Sequence, residues 1–356
     1  MTPTLDPNAP ARPDSGLYGL DVEPAAAGVH VLAVPFDATA SYRKGARFGP
    51  AAVLRASHQV DLFDLATGKP YEAGICLLPT DPRLAEWSAA AGPLADRVIA
   101  LGGAVEGDAG ARAALEEVNA IGTHLNGVVR EATERALDEG RLPAVLGGDH
   151  SVPFGAIEAA AARHPGLGIL HFDAHADLRR AYEGFTWSHA SIMDNVARRL
   201  EGVTRLVQVG LRDVCAEEVE RIEGSAGRIR ALYDRDWQNA RLEGADLRAL
   251  ARKWIGQLPK HVWISFDVDG LDPALCPHTG TPVPGGLDWG GACLWLDELA
   301  RSGRRVVGLD LCEVSPGEAP GAPGPEVVGG AEGDTWDAMV GARLLYRLIG
   351  TALLTR

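Results

Sequence analysis

The chain has 356 residues, 46% of them hydrophobic, with 43 glycines and 23 prolines, a composition that excludes a disordered or fibrous protein and leaves material for a sizeable core. Lys and Arg total 34 against 48 Asp and Glu, and the formal charge of -14 argues against partners with a nucleic-acid backbone or an anionic membrane surface. A small cationic ligand suits such a field, although solvated surface carboxylates alone would produce the same excess.

The opening stretch MTPTLDPNAPARPDSG has neither the basic start nor the apolar core of a signal peptide. No run approaches the roughly 18 apolar residues that span a bilayer. Five cysteines, Cys76, Cys215, Cys276, Cys293 and Cys312, are scattered without a CxxC pair, which suits a reducing compartment. A cytoplasmic protein is expected. Residues 1–27, rich in Pro, Ala and Asp, read as an extended or loosely attached arm, and residues 28–356 as one domain.

From Gly28 onward, short apolar runs recur at 29–36, 144–146, 168–172, 205–209, 229–233, 262–266 and 306–311, and each predicts a buried strand. Between them, Ala-, Leu-, Glu- and Arg-rich stretches at 112–139, 152–164 and 244–256 predict helices. Strands alternating with helices imply a three-layer α/β/α fold around a mainly parallel sheet. The Gly- and Pro-rich stretch 315–333 reads as a long surface loop.

In such a sheet, ligands gather beyond the carboxyl ends of the strands. Three apolar runs here end in metal-type residues: AVLGGDHS in His150, ILHFDAHADLR in Asp173, His175 and Asp177, and WISFDVDGLDP in Asp267 and Asp269. Alternate residues of an extended backbone share a face, so 173, 175 and 177 point one way, and 267 with 269 likewise. One buried Asp or His is usually a hydrogen-bonded structural residue. Four acids at apolar strand ends would repel and desolvate without cations.

Four carboxylates and two imidazoles are too few to give two ions separate ligand sets, so shared carboxylates are the economical arrangement. Two-metal hydrolytic sites have this form, with a solvent molecule between ions roughly 3.5–4 Å apart. Four carboxylates balance two divalent ions, and a bridging hydroxide leaves the cluster near minus one, attractive to a guanidinium. The oxygen-rich ligand set favours Mn²⁺, with Ni²⁺, Co²⁺ or Zn²⁺ left open.

The segments GGDHS (147–151), DAHADLR (173–179) and SFDVDGLDP (265–273) resemble the three signature motifs of the ureohydrolases, which include arginase, agmatinase and related amidinohydrolases. The likeness runs from about Val34 to Leu354 and takes in PFDATASYRKGARFGP and GTPVPGGL. It implies an arginase-like fold and two divalent ions. One would be held by His150, Asp173, Asp177 and Asp267, the other by Asp173, His175, Asp267 and Asp269.

It further implies that Glu313, in GLDLCEVSP, binds the substrate guanidinium, and that His189, in TWSHASIM, assists proton transfer, with Asp177 a possible relay as well as a ligand. Each role suits the chemistry, because a carboxylate accepts a guanidinium fork bidentately and the departing amine must leave protonated.

The segment LRRAYEGFTWS between Asp177 and His189 lacks the Asn- and Ser/Thr-rich character of the arginase loop that grips an amino acid. Agmatine is therefore the expected substrate, yielding urea and putrescine. Free guanidine, guanidinobutyrate and arginine are the alternatives, and an inactive metal-binding regulator is the non-enzymatic one. Trp187 and Trp336 are candidates for narrowing the pocket, and Arg179 and Arg180 are the cations available to a carboxylated tail. The resemblance also implies a homo-trimer or homo-hexamer.

Overall fold

The computed structural model describes residues 6–317 and 336–356, so most of the stretch 315–333 lies outside the described residues. Eight apolar runs form the strands β1 (Val29–Val34), β2 (Ile75–Leu77), β3 (Leu142–Gly147), β4 (Leu167–Phe172), β5 (Val203–Leu211), β6 (Ile229–Tyr233), β7 (His261–Asp267) and β8 (Arg305–Cys312). All pair in parallel in the order β2-β1-β3-β8-β7-β4-β5-β6.

The helices are α1 (Gly49–Ser57), α2 (Pro82–Ile99), α3 (Ala109–Asp138), α4 (Phe154–Arg163), α5 (Ile192–Arg199), α6 (Ala216–Glu223), α7 (Asp234–Leu242), α8 (Leu247–Ile255), α9 (Trp289–Ala300) and α10 (Trp336–Leu354). None of the described helices is long and apolar enough to cross a membrane.

Alternation along the strands divides the core in two. Leu146, Leu170 and Ile264 pack with apolar residues of α1, α8, α9 and α10. Their chain neighbours Val145, Ile169 and Trp263 pack with α2, α3, α4 and α5 on the opposite face. Both faces of the sheet are therefore covered, which is why the strand sequences are almost continuously apolar. This is the three-layer arrangement expected from the sequence.

Differences from the sequence reading have local causes. Strand β2 is a three-residue edge strand, too short to announce itself. Helix α2 carries Pro93 inside it, which masks its periodicity. The stretch 244–256 holds one helix, α8, which starts only after Asp246, whose carboxylate accepts from the Ala249 amide at 3.0 Å; the short helix α7, ending before Gly244 with its φ of 72°, was not expected.

Part of the segment 1–27 is also firmly seated rather than loose. Leu17, Tyr18 and Leu20 are buried, the Tyr18 amide donates to Ser57 Oγ at 2.9 Å, and the Tyr18 hydroxyl donates to the Ala342 carbonyl at 2.9 Å. These apolar side chains join the core between α1 and α10, an anchor hidden among the prolines and alanines around them.

Strands β3, β8, β7 and β4 occupy the middle of the sheet, so their carboxyl ends open side by side.

Candidate metal centre

Each central strand delivers one part of the site. His150 follows β3, Asp173 follows β4, Asp267 ends β7 and Glu313 follows β8. The tight passage of the GGDHS loop needs Gly148, because a Cβ there would stand 1.9 Å from the Phe36 carbonyl oxygen. Asp177 and Glu313 both adopt left-handed backbone, with φ of 54° and 63°. For residues with a Cβ this conformation is strained, and it persists where the surroundings over-determine it.

Three aspartates share one design. Asp173 Oδ1 accepts the His175 amide at 2.6 Å, Asp267 Oδ1 accepts the Asp269 amide at 2.8 Å, and Asp269 Oδ1 accepts the Ala174 amide at 2.9 Å. Each carboxylate thus commits one oxygen to the main chain and turns the other inward. Around His150 Nδ1 stand Asp173 Oδ2 at 3.1 Å, Asp177 Oδ2 at 3.3 Å and Asp267 Oδ2 at 3.4 Å. His175 Nδ1 lies 3.0 Å from Asp269 Oδ2, and the ligand-type atoms of Asp173, His175 and Asp269 fall within 4.8 Å of one another. All six residues singled out by the three motifs meet in one cluster.

The electrostatics are those of a site built for cations. Burial, compounded by the neighbouring Asp173 charge, pushes the Asp177 carboxyl up to about 8. Burial and the charges of Asp269 and Asp173 hold Asp267 well above its ordinary value. Burial opposes the charge on Asp173 as well, but hydrogen bonds from His150, His171 and His175 outweigh it and keep that carboxyl well below the usual range. His175 is pushed up to about 12, since the carboxylates of Asp269 and Asp173 overcome its desolvation. Protons here stand in for positive charge that divalent ions would supply, so the donor set fits two of them.

Beneath the cluster runs a polar row that the motif reading did not single out. Gln208, His171, Ser265 and Asp310 stand in register across β5, β4, β7 and β8, all completely buried. His171 Nε2 lies 2.9 Å from Asp173 Oδ2, and Gln208 Nε2 lies 3.0 Å from His171 Nδ1. The Ser265 hydroxyl donates to Asp310 Oδ1 at 2.9 Å and lies 2.9 Å from His150 Nε2. Trp263 Nε1 donates to Asp310 Oδ2 at 2.6 Å. Such partners orient ligand side chains from behind. The available signal was a polar residue inside each apolar run, as in ILHF, LVQVG, WISF and GLDLC.

Glu313 and His189 lie at the same place. Glu313 Oε1 accepts the His150 amide at 3.0 Å, whereas Oε2 is buried and has no hydrogen-bond partner among the described residues. Burial, reinforced by the charges of Asp267 and Asp149, raises the Glu313 carboxyl well above its normal value. His189 Nδ1 stands 3.9 Å from Glu313 Oε1, and burial together with the His175 charge lowers this imidazole to about 4.

The mouth above them is lined by Ser41, Arg179, Tyr182 and Asp213 among others. Arg179 stacks on the Tyr182 ring at 4.9 Å, with Nε 4.0 Å from Glu218 Oε2, whereas Arg180 does not line this cavity. Neither tryptophan narrows it. Trp187 packs on Phe154 and donates to Thr123 Oγ1 at 2.9 Å, and Trp336 donates to the Ala274 carbonyl at 3.0 Å. Both indole N–H groups found partners away from the site.

A model described as the arginase family matches residues 27–348. The chain belongs to the arginase family. A relative from Thermus thermophilus, named N(1)-aminopropylagmatine ureohydrolase, is 33% identical over 325 residues, covering 91% of this chain and 90% of that protein. A Pyrococcus horikoshii protein named agmatinase is 30% identical over 286 residues, covering 80% and 83%. The agmatine ureohydrolase of Thermoplasma volcanium superposes with a TM-score of 0.68 over 96% of this chain and 94% of its own, at 22% identity, a likeness of fold. This arginase-family chain is an agmatinase-like ureohydrolase acting on guanidino compounds, and its His/Asp cluster is a dinuclear divalent metal site.

Proposed function

We propose that the protein releases urea from agmatine or from an agmatine extended at its amine, at a pair of Mn²⁺ ions, with Ni²⁺ as the alternative. In this reading His150, Asp173, Asp177 and Asp267 would hold one ion and Asp173, His175, Asp267 and Asp269 the other. The observation that carries it is Glu313 Oε2, a buried carboxylate oxygen with no hydrogen-bond partner among the described residues, beside the Asp/His cluster. When bound, two such ions lower the pKa of water and stabilise developing negative charge.

The chain's own residues supply the rest. The His150 amide fixes Glu313 through Oε1, so Oε2 stays free to accept a guanidinium N–H and align the central carbon. His189 presents Nδ1 toward Glu313 and protonates the departing nitrogen as the carbon–nitrogen bond breaks. Asp177, raised by its burial and by Asp173, is placed to take up a proton at Oδ2.

Two findings support a cationic tail. Relatives are named for agmatine substrates. At the mouth, Asp213 is exposed and has no side-chain partner among the described residues, whereas Arg179 is occupied by Tyr182 and Glu218. We extend the reading to a cytoplasmic homo-trimer or homo-hexamer in polyamine metabolism, with residues 28–356 as the catalytic unit. Urea release by Mn²⁺-reconstituted protein from agmatine, N(1)-aminopropylagmatine, guanidinobutyrate, guanidine and arginine tests the substrate. Arginine or guanidine as the best of the five would refute it.

A further inference from the structure

We propose that Ser41 is the positioning residue for His189: its hydroxyl holds the imidazole so that Nδ1 stays turned toward Glu313 while the ring gives up its proton. This rests on the reading of His189 as proton donor to the departing amine.

Ser41 Oγ lies 3.2 Å from His189 Nε2, and the other ring nitrogen, Nδ1, stands 3.9 Å from Glu313 Oε1. Among the described residues, Ser41 makes the one side-chain hydrogen bond to this ring. A histidine ring has a broad, roughly two-fold torsion about its last bond, so a ring without that bond would lose its preference for the productive face. The other end of His189 is set by its backbone. Ser188 caps the short helical turn, accepting from the Ala190 amide at 3.2 Å, and the Ala190 carbonyl accepts the Arg179 amide at 3.1 Å.

Ser41 itself stands on a loop held from both sides. Asp37, almost wholly buried, accepts the Gly45 amide at 2.8 Å, the Arg47 amide at 3.2 Å and Arg47 Nη1 at 3.0 Å. Thr39 Oγ1 donates to Asp149 Oδ2 at 3.0 Å, and Asp149 directly precedes His150. Ala38 and Ala40 are buried beneath the loop. The loop that presents Ser41 is therefore bolted to the loop that presents His150.

A hydroxyl suits this position because it both donates and accepts. The ring, lowered to about 4 and so neutral at rest, takes up at Nδ1 a proton released by the attacking water. The imidazolium donates Nε2–H to Ser41 Oγ and passes that Nδ1 proton to the departing nitrogen, which keeps the electron pair of the broken carbon–nitrogen bond. The neutral ring that remains still donates Nε2–H to the same oxygen. Ser41 neither gains nor loses a proton, and the ring does not have to turn during the step.

The test compares Ser41→Ala and Ser41→Thr, each in the otherwise unchanged enzyme and in a His189→Asn background, with urea release from agmatine and metal content measured throughout. Ser41→Ala should lower kcat about tenfold with KM within about twofold, shift the limb of the kcat pH profile that His189 controls, and leave the metals in place. Ser41→Thr should recover most of the rate. In the His189→Asn background the alanine change should cost less than about twofold.

Ring ¹⁵N shifts of His189, assigned with the His189→Asn variant, should move in Ser41→Ala and return in Ser41→Thr without any turnover. An undiminished tenfold loss in the His189→Asn background, a rise in KM alone, or unmoved His189 shifts in an active enzyme each overturns the assignment. A wild-type protein that releases no urea from any guanidino compound overturns the functional reading instead, and the catalytic part of Ser41 with it.

Discussion

The main-chain amide of His150 donates to Glu313 Oε1 at 3.0 Å, tying the residue assigned to the metals to the residue assigned to the substrate. One carboxylate oxygen is spent on this bond and the other remains buried and open. Glu313→Gln keeps an acceptor for the His150 amide but removes the charge that a guanidinium would meet. Charge-assisted hydrogen bonds contribute about 1.5–3 kcal/mol each, so kcat/KM should fall about tenfold to a hundredfold with the metals retained. Plasma emission and steady-state urea release check this. An unchanged specificity constant would place Glu313 outside the reaction.

Asp267→Ala should lose metal from the whole cluster, because Asp267 Oδ2 faces His150 while Oδ1 anchors the turn that carries Asp269. Metal content should drop well below two ions per chain, and activity should vanish. Full activity with one ion or fewer would dispose of the shared-carboxylate arrangement.

The metal-free protein should melt at lower temperature as pH rises. Asp177, raised to about 8 by burial and by Asp173, adds stability that is complete below its ordinary value of 3.8 and is lost as pH climbs toward about 8. His175, raised to about 12 against its desolvation by Asp269 and Asp173, adds stability complete below 6.5 and lost above, in the same direction. Asp173, held well below 3.8, contributes a constant amount across this window. His189, lowered to about 4 by burial and the His175 charge, works in the opposite sense below 6.5, so melting in a chelator should decline between about pH 6.5 and pH 8, and excess Mn²⁺ should flatten or reverse the slope by binding the ionised carboxylates. Parallel slopes with and without metal would contradict the assignment.

Arg179 is the cation at the mouth, so it decides whether a carboxylated tail is tolerated. With its guanidinium stacked on Tyr182 and near Glu218, guanidinobutyrate should be a poor substrate, and Arg179→Ala should leave agmatine turnover within about threefold, as for a surface charge pair. Arg180→Ala should change neither. A selective loss of guanidinobutyrate turnover in Arg179→Ala, from an enzyme that prefers that substrate, would reverse the reading of the tail.

The sequence by itself determined which strand ends carry the ligand-type residues. Asp173, His175 and Asp177, and Asp267 with Asp269, each follow or end an apolar run that had to be a buried strand, although the extended spacing stops at the strand end: Asp177 is left-handed and Asp269 lies in the 3-10 turn Val268–Gly270. The six-residue cluster and the parallel sheet were legible for that reason.

Only the tertiary structure decided the rest. Strands β7 and β8 insert between β3 and β4, although they come much later in the chain, and this long-range pairing sets His150 opposite Asp267 and Glu313 beside His150. The row of Gln208, His171, Ser265 and Asp310 exists only in that register, because each of its members comes from a different strand. Ser41 meets His189 across 148 positions of sequence, a contact that no local period encodes and that depends on two loops docking over the same strand ends.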